Sequence, residues 1–195
     1  MLKIVETLGS MNPKNLLYPI IFLIFTTACE VKMAPSETWD KWFKTQTDSS
    51  YYKGKAERLV KKISKGSFEY EINRVAVIDP VNSEKKAPVL GEYISSRVIE
   101  AIAKKRVFRV TQKGEVNDVL TQLNLPPAFA YTKPELQRLG NALNAQAILT
   151  GKLTDLGTNL DVHVTLIDVA SGEVIASATE YLTRTKFAME LMRHY

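Results

Sequence analysis

Apolar and polar residues alternate along the last third of the chain. In the stretch NLDVHVTLIDVA, residues 159–170, Leu160, Val162 and Val164 occupy every second position. A period of two places these side chains on one face of a β-strand and the polar residues between them on the other. The stretch is therefore predicted to form a strand with one buried face.

Two similar stretches flank this strand. Residues 145–157 and 171–183 are rich in apolar and β-branched residues, and short glycine-containing turns at 157–159 and 170–172 separate the three stretches. Connections this short join neighbouring strands that run in opposite directions. The last third of the chain is thus predicted to be a three-stranded antiparallel meander.

The period changes in the middle of the chain. Between Pro88 and Lys105, apolar residues recur at every third or fourth position, which is the spacing of an amphipathic helix. Thr132 precedes a similar stretch, and Glu135 stands at the spacing of a capping box. The elements predicted here are a strand at 74–80, a helix at 88–105, a strand at 106–111, and helices at 113–123 and 133–143.

This order of elements defines the fold class. It predicts an α/β fold in which helices pack on a mixed sheet that ends in the meander. A further helix, treated as an accessory helix, is predicted at 51–66 from the apolar positions Leu59, Val60 and Ile63. The lysines around that apolar stripe are predicted to form a solvated face. Residues 186–195 are predicted to be a C-terminal tail.

The N-terminal part contains an uncharged apolar run, LLYPIIFLIFTTA, at residues 16–28. As a helix it would rise roughly 20 Å, which is short of the ~30 Å hydrocarbon core of a bilayer. Lys14 precedes the run and small residues close it, as in a secretory signal peptide. Residues 1–28 are therefore predicted to be a signal peptide, with either Met1 or Met11 as its first residue.

Cys29 is the only cysteine of the chain and directly follows the apolar run. Ala28 resembles the small residue that precedes the lipid-modified cysteine of a bacterial lipobox, although Thr26 stands where that pattern favours leucine. The resemblance implies cleavage before Cys29 and lipid attachment to Cys29, with palmitate or similar acyl chains. Several acyl chains on one residue give firm membrane anchoring. The alternative is a free cysteine in a plain signal peptide or a short buried helix.

The segment after the cysteine, residues 29–50, is polar and irregular, and is predicted to be a tether between the membrane and the folded part. Trp39, Trp42 and Phe43 interrupt its polar character. We expect these aromatic residues to dock on the domain, and contact with a membrane interface or a partner is the alternative. Extended chain reaches at most ~3.5 Å per residue, so the tether would keep the domain close to its membrane.

Composition limits the chemistry that the chain can carry. Of 195 residues, 45% are hydrophobic and 24% are charged, which suits one folded domain with extensions. The formal net charge of +5 is small for a nucleic-acid binder and fits a surface facing anionic lipid or cell-wall polymer. One cysteine and two histidines argue against an internal disulfide or a metal cluster. We therefore expect no metal, no cofactor and no nucleic-acid partner.

Two residues stand where a functional group could be expected. Asp79 ends a predicted strand, where open α/β sheets place catalytic groups, but an aspartate before Pro80 is more commonly a turn former. His163 alternates with the apolar residues of its strand and is expected to be exposed on the opposite face. A lone histidine is not a set of metal ligands.

The other charged candidates belong to turns and helix ends. Asp155 and Asp161 are expected to flank one turn of the meander, and Asp168 lies further along it. A cation site there is conceivable, but solvated turn carboxylates are the preferred interpretation. The basic run KKR at 104–106 ends a helix, where positive charge complements the helix dipole. Since the chain also lacks the G-x-S-x-G, H-E-x-x-H and phosphate-loop motifs, we expect that it is not an enzyme.

Four stretches together resemble one family. VAVIDPVN, FRVTQKGEVNDVL, LGNALNAQAILTGKLTDLG and DVHVTLIDVASGEVIASATEYL follow one another as in the FlgO-type domain of outer-membrane lipoproteins linked to flagella. That domain is related to the curli secretion channel CsgG, to LpoB-type activators of peptidoglycan synthases and to the N-terminal domain of TolB. The resemblance covers residues 68–183, and residues 67–185 are assigned to a FlgO-type domain on this basis.

The resemblance implies a location and a role. The chain would be a lipoprotein of the cell envelope, anchored in the outer membrane through Cys29 and facing the periplasm, although the sequence leaves an inner-membrane location open. It would act as a non-enzymatic structural or assembly accessory associated with the flagellum. Its partners would be envelope or flagellar proteins, and a homo-oligomer is left open.

Two other roles follow from the related families. One is an LpoB-like regulatory binding module for a peptidoglycan synthase, and the other is a non-pore member of the CsgG-like secretion family. A self-formed pore is not expected, because each membrane-spanning hairpin adds at least about twenty residues. The turn at 157–159 and the short segment 184–195 leave no room for such hairpins.

Overall fold

Five strands form the centre of the structure. The computed structural model describes residues 48–195. Its strands lie side by side in the order β2-β1-β3-β4-β5, with β1 parallel to both neighbours and the last three strands antiparallel. The predicted mixed sheet with a terminal meander is therefore confirmed. The strands are β1 (Arg74–Val77), β2 (Arg109–Val110), β3 (Ala147–Asp155), β4 (Asn159–Asp168) and β5 (Val174–Thr183).

Helices cover both faces of this sheet. One face packs against α1, α2 and α5 through buried side chains such as Leu59, Val98 and Val164. The other face packs against α3 and α4 through side chains such as Leu120 and Leu139. The α/β class is thus confirmed. The helices are α1 (Asp48–Gly66), α2 (Val89–Lys105), α3 (Lys113–Gln122), α4 (Lys133–Ala142) and α5 (Lys186–Arg193).

Helix α1 occupies the segment expected to be an accessory helix and includes the last three residues of the expected tether. It buries Tyr52, Ala56 and Leu59 in the same core as the sheet. Two of its side chains also reach the outer edge of β5. The Lys62 ammonium donates to the Thr179 backbone oxygen at 2.6 Å, and the Tyr51 hydroxyl accepts from the Thr183 amide at 2.7 Å. Helix α1 is therefore an integral layer of the domain.

The expected C-terminal tail, residues 186–195, is largely helical. The hydroxyl of Thr185 caps α5 by accepting from the Ala188 amide at 3.1 Å, and Ala188 is fully buried. The His194 backbone oxygen accepts from the Val89 amide at 2.9 Å and joins the end of the chain to α2. Its eight residues are fewer than the roughly 11 to 18 over which helical periodicity is read, which is why the sequence did not predict this helix.

The connections match the predicted turns. Strands β3 and β4 are joined at Gly157, whose φ of +83° lies in the left-handed region that favours glycine. The predicted capping box of α4 is present, since Thr132 and Glu135 exchange hydrogen bonds. No helix between residues 48 and 195 combines the length and apolar character needed to cross a bilayer.

Candidate functional site

Cys29, the predicted lipid-attachment residue, lies outside the described residues, as do Trp39, Trp42 and Phe43. The signal peptide and the lipid anchor therefore stay predictions from the sequence. The structure instead describes the candidate residues of the folded domain, between residues 48 and 195.

The Asp79 side chain contacts both α2 and α3, so Asp79 does more than form a turn. It follows β1 at the carboxyl end of the parallel strands, and its side chain is only 14% exposed. The Ser95 hydroxyl of α2 donates to the Asp79 carboxylate, and the Lys113 ammonium of α3 lies 3.0 Å from the same oxygen. The interpretation of Asp79 as only a turn former was incomplete, because its long-range partners could not be seen in the local sequence.

These interactions occupy the place where open α/β sheets commonly bind ligands. The helices that follow β1 and β2 lie on opposite faces of the sheet, so a crevice opens between the two strand ends. Lys113 in this crevice is neutralised by Asp79 and also lies 3.5 Å from Glu92. Ser95 is 2% exposed and cannot reach a ligand. The cluster is thus arranged to hold α2 and α3 on the sheet.

The carboxylates of the meander do not converge. Asp155 and Asp161 lie on opposite faces of the sheet, because Asp155 pairs with Leu160 and Asp161 pairs with Thr154. The Arg184 guanidinium, 3.1 Å away, and the Gly157 amide hold the pKa of Asp155 below its usual value. Across residues 48–195, no group of three or more histidine, cysteine, aspartate or glutamate residues is placed to hold a metal ion.

His163 points away from Val162 and Val164, as the alternation predicted, but it is half-buried rather than exposed. Its Nδ1 lies 2.9 Å from the Thr179 hydroxyl on β5, and its Nε2 lies 3.4 Å from Ser177. The Phe129 ring covers it, with 5.6 Å between ring centroids. Phe129 comes from the loop between α3 and α4, so local sequence gave no signal for this contact.

The lysines of α1 form the expected solvated face only in part, since Lys61 and Lys65 are exposed while other basic side chains of the helix pair with a carboxylate. Lys55, Arg58 and Lys62 surround the buried Glu180 of β5 at 3.6, 3.1 and 2.8 Å. Burial alone would raise the pKa of Glu180, but hydrogen bonds from Lys62 and Arg58 lower it below its ordinary value. Lys104, in the basic run at the end of α2, pairs with Glu57 at 3.0 Å. Much of the positive charge around α1 is therefore engaged in ion pairs that hold this helix against β5 and α2.

One half of the sheet face is not covered by α3 or α4. We call it the open face and define it by Lys152, Asp161, His163, Thr179 and Tyr181. Lys152, His163 and Thr179 form one row across β3, β4 and β5, and Asp161 and Tyr181 belong to the next row. Tyr181 is 58% exposed. A polar, partly aromatic surface of this kind suits contact with another molecule.

A pocket adjoins the open face at the carboxyl end of β1. Its volume is about 390 Å³. We call it the lysine pocket, because two lysines from distant parts of the chain contribute to it. It is lined mainly by Asn82, Ser83, Lys85, Phe129 and Lys152. Neither this pocket nor the open face was predicted, since both depend on how the loops after β1 and α3 fold over the sheet.

The family model described as FlgO protein matches residues 54–187, from within α1 to the first turn of α5. The chain therefore belongs to the FlgO protein family, and the resemblance seen in the sequence is confirmed. The comparison with curated proteins found no match.

Solved structures share the fold. The C-terminal domain of LpoB from Escherichia coli aligns with a TM-score of 0.55 and 16% identity, over 68% of this chain and 98% of that domain. The same domain from Salmonella enterica aligns with a TM-score of 0.53 and 18% identity, over 68% of this chain and 98% of that domain. The NMR structure of Escherichia coli LpoB aligns with a TM-score of 0.54 and 15% identity, over 69% of this chain and 68% of that one. At these identities the comparison establishes the fold alone.

Proposed function

We propose that this protein is a lipoprotein of the cell envelope that acts by binding other proteins. Membership of the FlgO protein family over residues 54–187 is the observation that carries the proposal. In this proposal Cys29 bears the lipid, and the domain faces the periplasm from the outer membrane. The protein serves as a structural or assembly accessory associated with the flagellum.

The side chains of the domain support a binding role over a catalytic one. Asp79 is engaged with Ser95 and Lys113, and His163 is engaged with Thr179 under the Phe129 ring. A general acid or base must reach its substrate, and these groups are instead held by partners within the domain. Tyr181 on the open face and Lys85 and Lys152 at the lysine pocket, by contrast, are exposed.

A second role is favoured by the fold. The alignment with the LpoB C-terminal domain covers 98% of that domain, so the shared fold extends over nearly its whole length. In this alternative the domain is a regulatory binding module for a peptidoglycan synthase. Both roles require a protein partner, and they differ in which partner is bound.

The anchor is tested by replacing Cys29 with serine. The unchanged protein should partition with the outer membrane and incorporate a palmitate analogue, whereas Cys29→Ser should do neither. Thr27→Ser is the matched control, because it changes a neighbouring hydroxyl residue and leaves Cys29 in place. Retention of Cys29→Ser in the membrane fraction would show that the lipid is not the anchor.

The partner is tested by cross-linking in cells and purification of the protein from the envelope. Flagellar basal-body proteins among the cross-linked partners support the accessory role, and a peptidoglycan synthase supports the regulatory role. If neither class is enriched over the Cys29→Ser chain, which should be displaced from the membrane, both proposed roles are wrong.

A further inference from the structure

The lysine pocket contains two positive charges that the rest of the domain does not neutralise. Lys85 and Lys152 are exposed, and within residues 48–195 neither has a carboxylate within ion-pair distance. The adjacent Lys86, by contrast, pairs with Glu84 at 3.1 Å. Glu84 is the one acidic residue of this turn, and it pairs with Lys86. The Lys85 ammonium therefore has no ion-pair partner in the turn and can contact a ligand in the pocket.

The backbone presents Lys85 in a fixed and uncommon conformation. Its φ is +62°, in the left-handed region that non-glycine residues adopt at a cost. The nearly buried Asn82 maintains this turn, because its side-chain oxygen accepts from the amides of Glu84 and Lys86 at 2.9 and 3.0 Å. The Asn82 amide group also donates to the Tyr195 hydroxyl at 3.1 Å. Lys85 therefore projects from a rigid support.

Lys152 is fixed relative to the same turn. The segment after β1 continues alongside β3, where the Val81 amide donates to the Gly151 oxygen at 3.0 Å. The Val81 oxygen accepts from the Leu153 amide at 2.8 Å. These two bonds flank Lys152 and pair it with Val81, which precedes Lys85 by four residues, so the two lysines line one pocket although they are far apart in sequence.

An aromatic wall completes the pocket. Phe129 is half-buried and rests on His163, and its backbone oxygen accepts from the Thr150 hydroxyl at 2.8 Å. The loop that carries it is closed by Tyr131, whose hydroxyl donates to the Pro126 oxygen at 2.8 Å and accepts from the Ala128 amide at 3.0 Å. The pocket thus combines two ammonium groups, a hydroxyl from Ser83 and an apolar surface.

We propose that the lysine pocket binds a carboxylate side chain from an acidic peptide segment of a partner protein, and that the segment continues across the open face. Two ammonium groups and a hydroxyl match a carboxylate, and the Phe129 ring matches the apolar part of a neighbouring side chain. A concave pocket receives a single protruding group, whereas a flat lipid surface is met by convex, protruding residues. This inference rests on the proposed binding function and specifies the chemistry of the partner.

The charges of the open face give the bound segment a direction. Lys152 lies in the row of His163, while Asp161 lies one row further along β4. The acidic residues of the partner should therefore lie toward Lys85 and Lys152. Its neutral residues should lie over Asp161 and Tyr181, because like charges in contact oppose binding.

Two labelled peptides test this inference. One contains Asp-Glu-Phe-Asp-Glu and the other contains Asn-Gln-Phe-Asn-Gln, and both have blocked ends. Fluorescence anisotropy with the full chain in detergent should show binding of the acidic peptide at least about tenfold tighter than that of the neutral one, and weaker binding at higher salt. The Lys85→Asn/Lys152→Gln variant should lose this preference. Asparagine is chosen at Lys85 because it tolerates the left-handed backbone.

The matched control removes the same charge elsewhere. Lys65 and Lys105 are exposed lysines at the ends of α1 and α2, and Lys65→Gln/Lys105→Gln should change binding of the acidic peptide less than about twofold. Equal binding of both peptides, or equal loss in the two double variants, would overturn the inference. The inference would also be overturned if the Lys85→Asn/Lys152→Gln variant lost binding to phosphatidylglycerol vesicles but kept its preference for the acidic peptide.

Failure of the peptide-binding test can be distinguished from failure of the proposed binding function. If envelope proteins are still cross-linked to the unchanged chain but the acidic peptide is not preferred, the binding function stands and the lysine pocket is not its site. If the peptide is preferred but no flagellar protein or synthase is captured, the pocket inference stands and the assigned roles fail.

Discussion

The backbone oxygen of Pro80 lies directly against Gly91, at the place where any other residue would carry its Cβ atom. Pro80 follows Asp79 after β1, and Gly91 is in the first turn of α2. This contact lets α2 begin close enough to the sheet for the Ser95 hydroxyl to reach Asp79. The absence of one side chain therefore sets the position of a whole helix.

Replacing Gly91 with alanine should destabilise the domain by about 3 kcal/mol, because the backbone of Pro80 cannot move aside as a flexible side chain would. Gly114, in the first turn of α3, has open space around its Cα, so Gly114→Ala should be neutral or stabilise by up to about 1 kcal/mol. Urea unfolding followed by circular dichroism measures both. Equal effects of the two substitutions would contradict the packing argument.

Replacing Glu180 with glutamine should leave Lys55, Arg58 and Lys62 without their shared carboxylate, and should cost about 1–3 kcal/mol. The loss should be accompanied by faster hydrogen exchange in α1, since these ion pairs fasten that helix to β5. Glu173→Gln, at an exposed position just before the same strand, is the control and should have little effect. A loss confined to β5, with α1 unaffected, would argue against this fastening role.

The same carboxylate predicts a pH dependence. The pKa of Glu180 is lower in the folded protein than its ordinary value of 4.5, so the folded state favours the ionised form. Its contribution is fully present above the unfolded pKa and is lost as the pH falls through the folded pKa. Below about pH 4.5 the unchanged protein should therefore lose stability more steeply than Glu180→Gln. Parallel curves of unfolding free energy against pH for the two proteins would contradict this expectation.

A double-mutant cycle should reveal the coupling between Asp79 and Lys113. Each of Asp79→Asn and Lys113→Met removes one partner of a pair whose atoms lie 3.0 Å apart and whose side chains are mostly buried. The two losses in stability should be less than additive, with a coupling free energy of about 1–2 kcal/mol. Additive losses would mean that the two side chains act independently. The neighbouring Glu92, which also contacts Lys113, should be kept unchanged in all variants.

Removing the Tyr131 hydroxyl should loosen the loop that carries Phe129. Tyr131→Phe leaves the Pro126 oxygen and the Ala128 amide without their shared partner, at a cost of about 1–2 kcal/mol. Burial raises the pKa of Tyr131, so this hydroxyl stays protonated as a donor through neutral pH. NMR should show altered shifts for the His163 ring as Phe129 moves. Unchanged His163 shifts would indicate that Phe129 is held by other contacts.

The sheet was predictable where one periodic pattern governed a long segment. Strands β3, β4 and β5 each run for nine or ten residues, and the alternation around Val162 located the buried face correctly. The short strand β2 was predicted at 106–111 but contains only Arg109 and Val110. Arg106 adopts a left-handed conformation that ends α2, so the chain reaches the sheet three residues later than its β-branched composition suggested.

The surfaces could not be predicted, because distant segments form them. Lys85 and Lys152 come together only through the backbone pairing of Val81 with β3, and Phe129 reaches His163 from a loop on the far side of α3. Local sequence also assigned the α1 lysines to solvent, since Glu180 lies on a strand more than a hundred residues away. The periodic pattern of apolar residues indicates which side of a helix or strand is buried. It does not indicate which residues of other segments cover that side.

The two hydrogen bonds that α1 makes to the outer edge of β5 affect whether the protein can aggregate at high concentration. Unpaired strand backbone is a template on which further chains can add, and growth of this kind leads to fibrils. Lys62 already occupies the outward oxygen of Thr179, and Tyr51 occupies the outward amide of Thr183. An incoming strand would have to displace both side chains before it could register with β5. Copies of the chain at high concentration would thus be protected from stacking into an unlimited sheet.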